Sequence, residues 1–191
     1  TYTVTAVKKD GTETAQSASL NVNVPDTRML PFFDDFDDWT LHEDKWTKTQ
    51  QDGSTESKWS IDYYEYGLID PSATYSWSTL QNYDQALMTR VLHTPDRTNT
   101  YLRFNLKLRN SEQTNVDYLS AEVSSDDGKT WKEIATFDNK NGGFEWTTFQ
   151  YALADKLSSD LFRVRFRAHG ADAKWINYWY VDDVKVWTPV W

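Results

Sequence analysis

The chain has 191 residues, enough for one domain or for one domain and a piece of another. It carries 20 Lys+Arg against 29 Asp+Glu, a formal net charge of −9, and so lacks the basic footprint that displaces counterions from phosphates. This argues against nucleic acid and anionic membrane as partners. The lack of any apolar run of about 18 residues excludes a membrane-spanning helix, and the absence of cysteine removes disulfides, thiolate metal sites and cysteine nucleophiles.

Residues 1–24 read as two strands. Tyr2, Val4 and Ala6 alternate with Thr3, Thr5 and Val7, Lys8-Lys9-Asp10-Gly11 supplies a turn, and Leu20, Val22 and Val24 alternate with Ser19, Asn21 and Asn23. The stretch Tyr2 to Glu13 resembles the last hairpin of a fibronectin type III domain. Two strands bury no core of their own, so the rest of that module lies upstream or the hairpin docks on the next domain. The chain starts at Thr1 without an initiator Met or a signal peptide, and it reads as a mature or excised fragment. Residues 25–31, with Pro25 and Pro31, read as a linker, and 32–191 as the main domain.

That domain is predicted to be all-β. Leu102, Phe104, Leu106 and Leu108 alternate with Arg103, Asn105, Lys107 and Arg109, a half-buried strand. Leu119, Ala121 and Val123 repeat the pattern, as do Val164, Phe166 and Ala168; Tyr180, Val184 and Val186 share one parity near the end. No stretch has a 3.6-residue apolar period, and Gln150 to Ser159 holds at most one helical turn. Alternating strands without a βαβ rhythm predict an antiparallel jelly-roll β-sandwich.

Two acidic stretches mark the ends of this domain. Phe32-Phe33-Asp34-Asp35-Phe36-Asp37-Asp38-Trp39 sets four carboxylates among aromatics, with Asp35 and Asp37 on one face of a strand, roughly 7 Å apart. Trp179-Tyr180-Val181-Asp182-Asp183-Val184 places Asp182 on the parity of Tyr180, Val184 and Val186, the face expected inside. Crowded or buried carboxylates need neutralising. A Ca²⁺ ion taking six to eight oxygens would do so; solvation, with an arginine beside Asp182, would do so equally.

The opening Phe-acidic-acidic-Phe-acidic strand, Lys45-Trp46 and the closing Trp-Tyr-Val-Asp-Asp-Val strand resemble the MAM-like jelly rolls of secreted bacterial proteins, among them the cleaved-adhesin domains of gingipains. The likeness spans about residues 32–187, with its specific motifs at the two ends and a looser match at Leu161 to Arg167. It implies a structural calcium held by Asp35, Asp37 and Asp182, with Asp183 as a further ligand. It also implies adhesion as the activity, on an extracellular or bacterial cell-surface protein. The family's Asp-Gly-rich loop after the Trp is reduced here to Gln51-Asp52-Gly53-Ser54.

Aromatics make up 16% of the chain: ten Trp, eleven Tyr and nine Phe. Core packing accounts for most of them, and the rest are candidate platforms for sugar rings or interface anchors. Tyr64, Tyr66, Tyr75 and Trp77 crowd one region, and Trp175, Tyr178 and Trp179 another. Ser124-Ser125-Asp126-Asp127-Gly128-Lys129-Thr130-Trp131 fits an Asp-box, read here as a hairpin-turn device because it occurs once.

Nothing in the sequence selects a catalytic set. His42, His93 and His169 stand in no zinc spacing, and His169 reads as a surface residue at a strand end. Neither a nucleophile elbow nor a phosphate loop is present. Glu65 and Glu145, beside aromatics, would be the first glycosidase suspects. The sequence therefore predicts a non-catalytic binding or adhesion module with a glycan or a host or surface protein as partner. The alternative is a carbohydrate-binding or structural accessory domain of a larger secreted peptidase or glycoside hydrolase.

Overall fold

The computed structural model describes residues 7–12, 14, 27–62 and 71–189. Most of the predicted N-terminal hairpin lies outside these residues. Its turn is described: Gly11, at φ 83°, donates to the Lys8 carbonyl, and Asp10 Oδ1 accepts from Thr12 N at 3.0 Å.

The strands in chain order are β1 (Thr27–Met29), β2 (Phe32–Asp34), β3 (Trp46–Gln50), β4 (Trp59–Asp62), β5 (Ser72–Ser76), β6 (Gln81–Thr89), β7 (Val91–His93), β8 (Tyr101–Asn110), β9 (Asp117–Ser124), β10 (Lys132–Asp138), β11 (Phe144–Ala152), β12 (Leu161–Asp172) and β13 (Ile176–Trp187). In one seven-stranded sheet β12 is central, with β9 and then β10 on one side and β6 and β3 on the other; β7 and β1 extend the latter side. The second sheet has six strands, β11-β8-β13-β5-β4, with β2 also on β13. Every pairing between these strands is antiparallel except β1 with β7.

Period-two patterning builds this sandwich. Leu102, Phe104, Leu106 and Leu108 of β8, Leu119, Ala121 and Val123 of β9, and Val164, Phe166 and Ala168 of β12 are all buried between the sheets. Aromatics lock the layers: Phe104 meets Phe166 edge-on at 5.0 Å, and Tyr75 stacks on Tyr83 at 5.4 Å with Trp59 against its edge. After β11 the chain makes a single helical turn, in which Leu157 N donates to the Leu153 carbonyl.

Two sequence expectations change here. Thr27–Met29, read as linker, is strand β1, because its backbone finds Val91–His93 alongside in parallel register. The parity of the last strand is also broken. Val181 pairs with Leu106 and Asp182 with Asn105, but Lys185 pairs with Arg103, so Asp183 and Val184 together oppose Phe104. This is a β-bulge, with Asp183 in the left-handed region at φ 48°. Trp179, Val181, Val184 and Val186 therefore face the core, while Tyr180 and Asp182 point to the outer face. Asp182 is buried as expected, at 8% exposure, but on the side of the sheet away from the core.

The Asp-box forms the turn between β9 and β10. Ser124 Oγ bonds Asp126 and receives Gly128 N (2.8 Å), Asp126 accepts from the amide and hydroxyl of Thr130, and Trp131 Nε1 donates to the Gly128 carbonyl (3.0 Å). Bonds from Thr130 and Ser124 lower the Asp126 carboxyl from 3.8 to about 2. A carboxyl depressed in the folded state adds stability that is fully present above its unfolded value and lost as pH falls through its folded value. Wild type is therefore expected to lose its advantage over Asp126→Asn between about pH 4 and pH 2, as read by urea midpoints across that range.

Candidate functional site

The outer face of the six-stranded sheet is built from the residues that alternate with the core. On β8 these are Asn105, Lys107 and Arg109. Pairing places Tyr180 of β13 between Lys107 and Thr74 of β5, and Tyr178 between Arg109 and Ser76. Trp146 of β11 joins them, its ring 6.0 Å from that of Tyr180, and Tyr180 lies 5.4 Å from Tyr178. The result is a row of three rings that crosses from edge strand β11 to β13 and then runs along β13. Tyr180 is buried at its centre, Tyr178 half-buried, and Trp146 40% exposed at the edge strand. Trp77, 54% exposed, leaves β5 beside the row, with its amide donating to the Asn177 carbonyl.

Polar groups border the rings. Lys107 Nζ reaches Glu145 at 2.8 Å, Asn105 Nδ2 donates to Asp183 Oδ2 at 2.7 Å, and Thr148 Oγ1 donates to Asn105 Oδ1 at 2.7 Å. Lys107 beside Glu145 holds that carboxyl below the usual range. That is opposite to the shift of a glycosidic general acid. Glu65 lies outside the described residues.

Of the aromatic residues expected to contact a ligand, Trp77 and Trp175 are at the surface. Trp175 is half-buried at the sheet end, with Lys174 Nζ 4.4 Å from its ring centre. Tyr75 and Trp179 are fully buried. They pair with each other across β5 and β13 on the inner face, so no ligand reaches their rings. Tyr64 and Tyr66 lie outside the described residues. Sequence reasoning missed Trp146; the available signal was that it shares parity with Thr148 and Gln150, opposite to Phe149 and Tyr151.

The other sheet presents a charged outer face. Arg167 grips Asp84 with two bonds of 2.7 Å, and Arg165 Nε donates to Glu122 at 2.5 Å with its guanidinium 4.1 Å from the Trp131 ring centre. His169 is not at a strand end. It sits within β12, stacked on Tyr118 at 5.4 Å and 3.0 Å from Ser120 Oγ. Burial lowers its pKa, and the Ser120 hydroxyl is 2.6 Å from Thr136 Oγ1, so this serine-histidine contact is part of a closed hydrogen-bond chain.

The carboxylates expected to hold calcium are dispersed in their bonding. Asp35 Oδ1 accepts from Asp37 N (3.3 Å), Asp182 Oδ1 from Asp183 N (2.7 Å), and Asp183 from Asn105. Asp37 is exposed. Among the described residues no group of three or more His, Cys, Asp or Glu side chains is spaced to hold a metal ion. The side chains as placed do not fit the calcium shell that the resemblance implies.

Strand order and surface together define the class: a jelly-roll β-sandwich with an aromatic row on the outer side of its six-stranded sheet, exposed at Trp146 and buried at Tyr180. Solved structures of this fold include the K1 cleaved adhesin domain of Lys-gingipain from Porphyromonas gingivalis, with a TM-score of 0.63 at 14% identity, covering 84% of this chain and 99% of that one. The K2 cleaved adhesin domain of Lys-gingipain gives 0.59 at 17%, covering 82% and 99%. A carbohydrate-binding module of Caldicellulosiruptor saccharolyticus, solved with mannohexaose, gives 0.53 at 16%, covering 83% and 97%. At these identities the likeness is one of fold. No protein-family model and no curated protein matches the chain.

Proposed function

We propose that this chain is a non-catalytic binding module of a larger secreted or surface-attached bacterial protein, and that it takes a glycan on the outer face of the six-stranded sheet. The observation that carries this reading is the Trp146–Tyr180–Tyr178 row, with Trp146 exposed and amide, ammonium and carboxylate groups at its border. Flat apolar rings suit the C–H faces of pyranoses, and the bordering donors and acceptors suit hydroxyls. The solved relatives support a binding role: two are adhesin domains, and one is a carbohydrate-binding module that holds mannohexaose. Adhesion to a host or surface protein through the same face is the second reading, favoured by the Lys107–Glu145 pair beside exposed Trp146. An accessory role beside a peptidase or glycosidase is the third.

Intrinsic Trp fluorescence titrated with soluble mannans, glucans and xylans tests the glycan reading. A saturable shift with one class is expected, with affinity about tenfold weaker in Trp146→Ala, the loss of roughly 1.4 kcal/mol that a hot-spot aromatic produces. Absence of any shift moves the assignment to a protein partner, which surface-immobilised host proteins would then reveal.

A further inference from the structure

We infer that Lys45 supplies, from within the chain, the positive charge that a calcium ion is expected to bring to the opening strand, so that folding of this domain is independent of divalent metal. The acidic side chain that turns inward from β2 is Asp34, 2% exposed between buried Phe32 and Phe36. A carboxylate so placed needs a counter-charge and bonds to its lone pairs. Lys45 Nζ stands 3.0 Å from Oδ1, Trp46 Nε1 donates to Oδ2 at 2.6 Å, and Phe36 N approaches Oδ1 at 3.3 Å. Consecutive residues thus deliver an ammonium and an indole N–H to the two oxygens.

The backbone around Lys45 is held for this task. Its amide donates to the His42 carbonyl at 3.0 Å, and its carbonyl accepts from Arg90 N at 2.8 Å. Arg90 Nε also bonds the Glu43 carbonyl, and Arg28 grips Asp44. Oxygens that a metal would draw on are engaged by protein donors. Asp52, in the shortened Asp-Gly loop, accepts from Ser54, from Asp84 N and from Gln85 Nε2. Asp183 accepts from Asn105, and Asp182 Oδ1 accepts from Asp183 N.

The test is thermal unfolding of the chain in calcium and in EDTA, alongside Lys45→Met and the double variant Lys45→Met/Asp34→Asn. The wild-type Tm is expected to be the same in both buffers. Lys45→Met, which strands the buried carboxylate, is expected to lower Tm by about 6 °C or more, and the double variant to recover much of that loss. A wild-type Tm that rises with calcium and falls in EDTA would overturn the inference, as would a Lys45→Met chain that melts with the wild type. Should Lys45→Met fail to fold, the calcium and EDTA comparison on the wild type decides alone.

Discussion

Trp179→Ala is expected to destabilise the fold by about 3–5 kcal/mol while leaving glycan affinity of the folded molecules unchanged. The side chain is fully buried, paired with Leu108 on one side and Tyr75 on the other, with the Phe144 ring 6.3 Å away. Truncation removes the transfer energy of an indole and leaves a cavity that two hydrogen-bonded sheets cannot close. Trp146→Ala should show the reverse pattern, because its ring is 40% exposed on an edge strand: near-normal stability and weakened binding. Urea unfolding and glycan titration of both variants measure this double dissociation. If Trp179→Ala weakened binding with unfolding accounted for, the inner and outer faces of β13 would be wrongly assigned.

Glu122→Ala should be almost as damaging. Glu122 and Arg165 are each 7% exposed, joined at 2.5 Å, and the guanidinium is sandwiched against Trp131. Removing the carboxylate leaves a buried cation without its partner, which costs about 3–5 kcal/mol. Arg167 gives no relief, since it is itself bound to Asp84 and carries the same charge. Replacing both partners, as in Glu122→Leu/Arg165→Met, should restore most of the stability, because it removes the desolvation of two ions together with their attraction. Chemical denaturation of Glu122→Leu, Arg165→Met and the double closes the cycle; additive losses would show that the pair is not energetically coupled.

Much of the core was legible from side-chain parity. Leu102 to Leu108, Leu119 to Val123 and Val164 to Ala168 alternate cleanly, and a half-buried strand has one way to satisfy such a pattern. The Asp-box turn was legible for a local reason: Ser124, Asp126, Gly128 and Thr130 bond one another within seven residues, so their geometry needs no distant contact. The aromatic stretches were not legible in this way. Trp77 and Trp175 lie at the surface while Tyr75 and Trp179 face the core, and a Tyr- and Trp-rich segment looks the same in sequence whether its rings point out or in.

Period-two alternation and turn chemistry are properties of neighbouring residues, and they suffice to make this chain a β-sandwich. The face that each residue of β13 presents is a different matter, because it depends on strands distant in the chain. One extra residue at Asp183 reverses the parity of everything beyond it, and a bulge exists only against a partner strand. That reversal lets Val184 and Val186 share the core with Trp179 and Val181, so that Tyr180 and Asp182 lie on the opposite side, Tyr180 beside Trp146; the inward carboxylate of the opening strand is Asp34, bonded by Lys45.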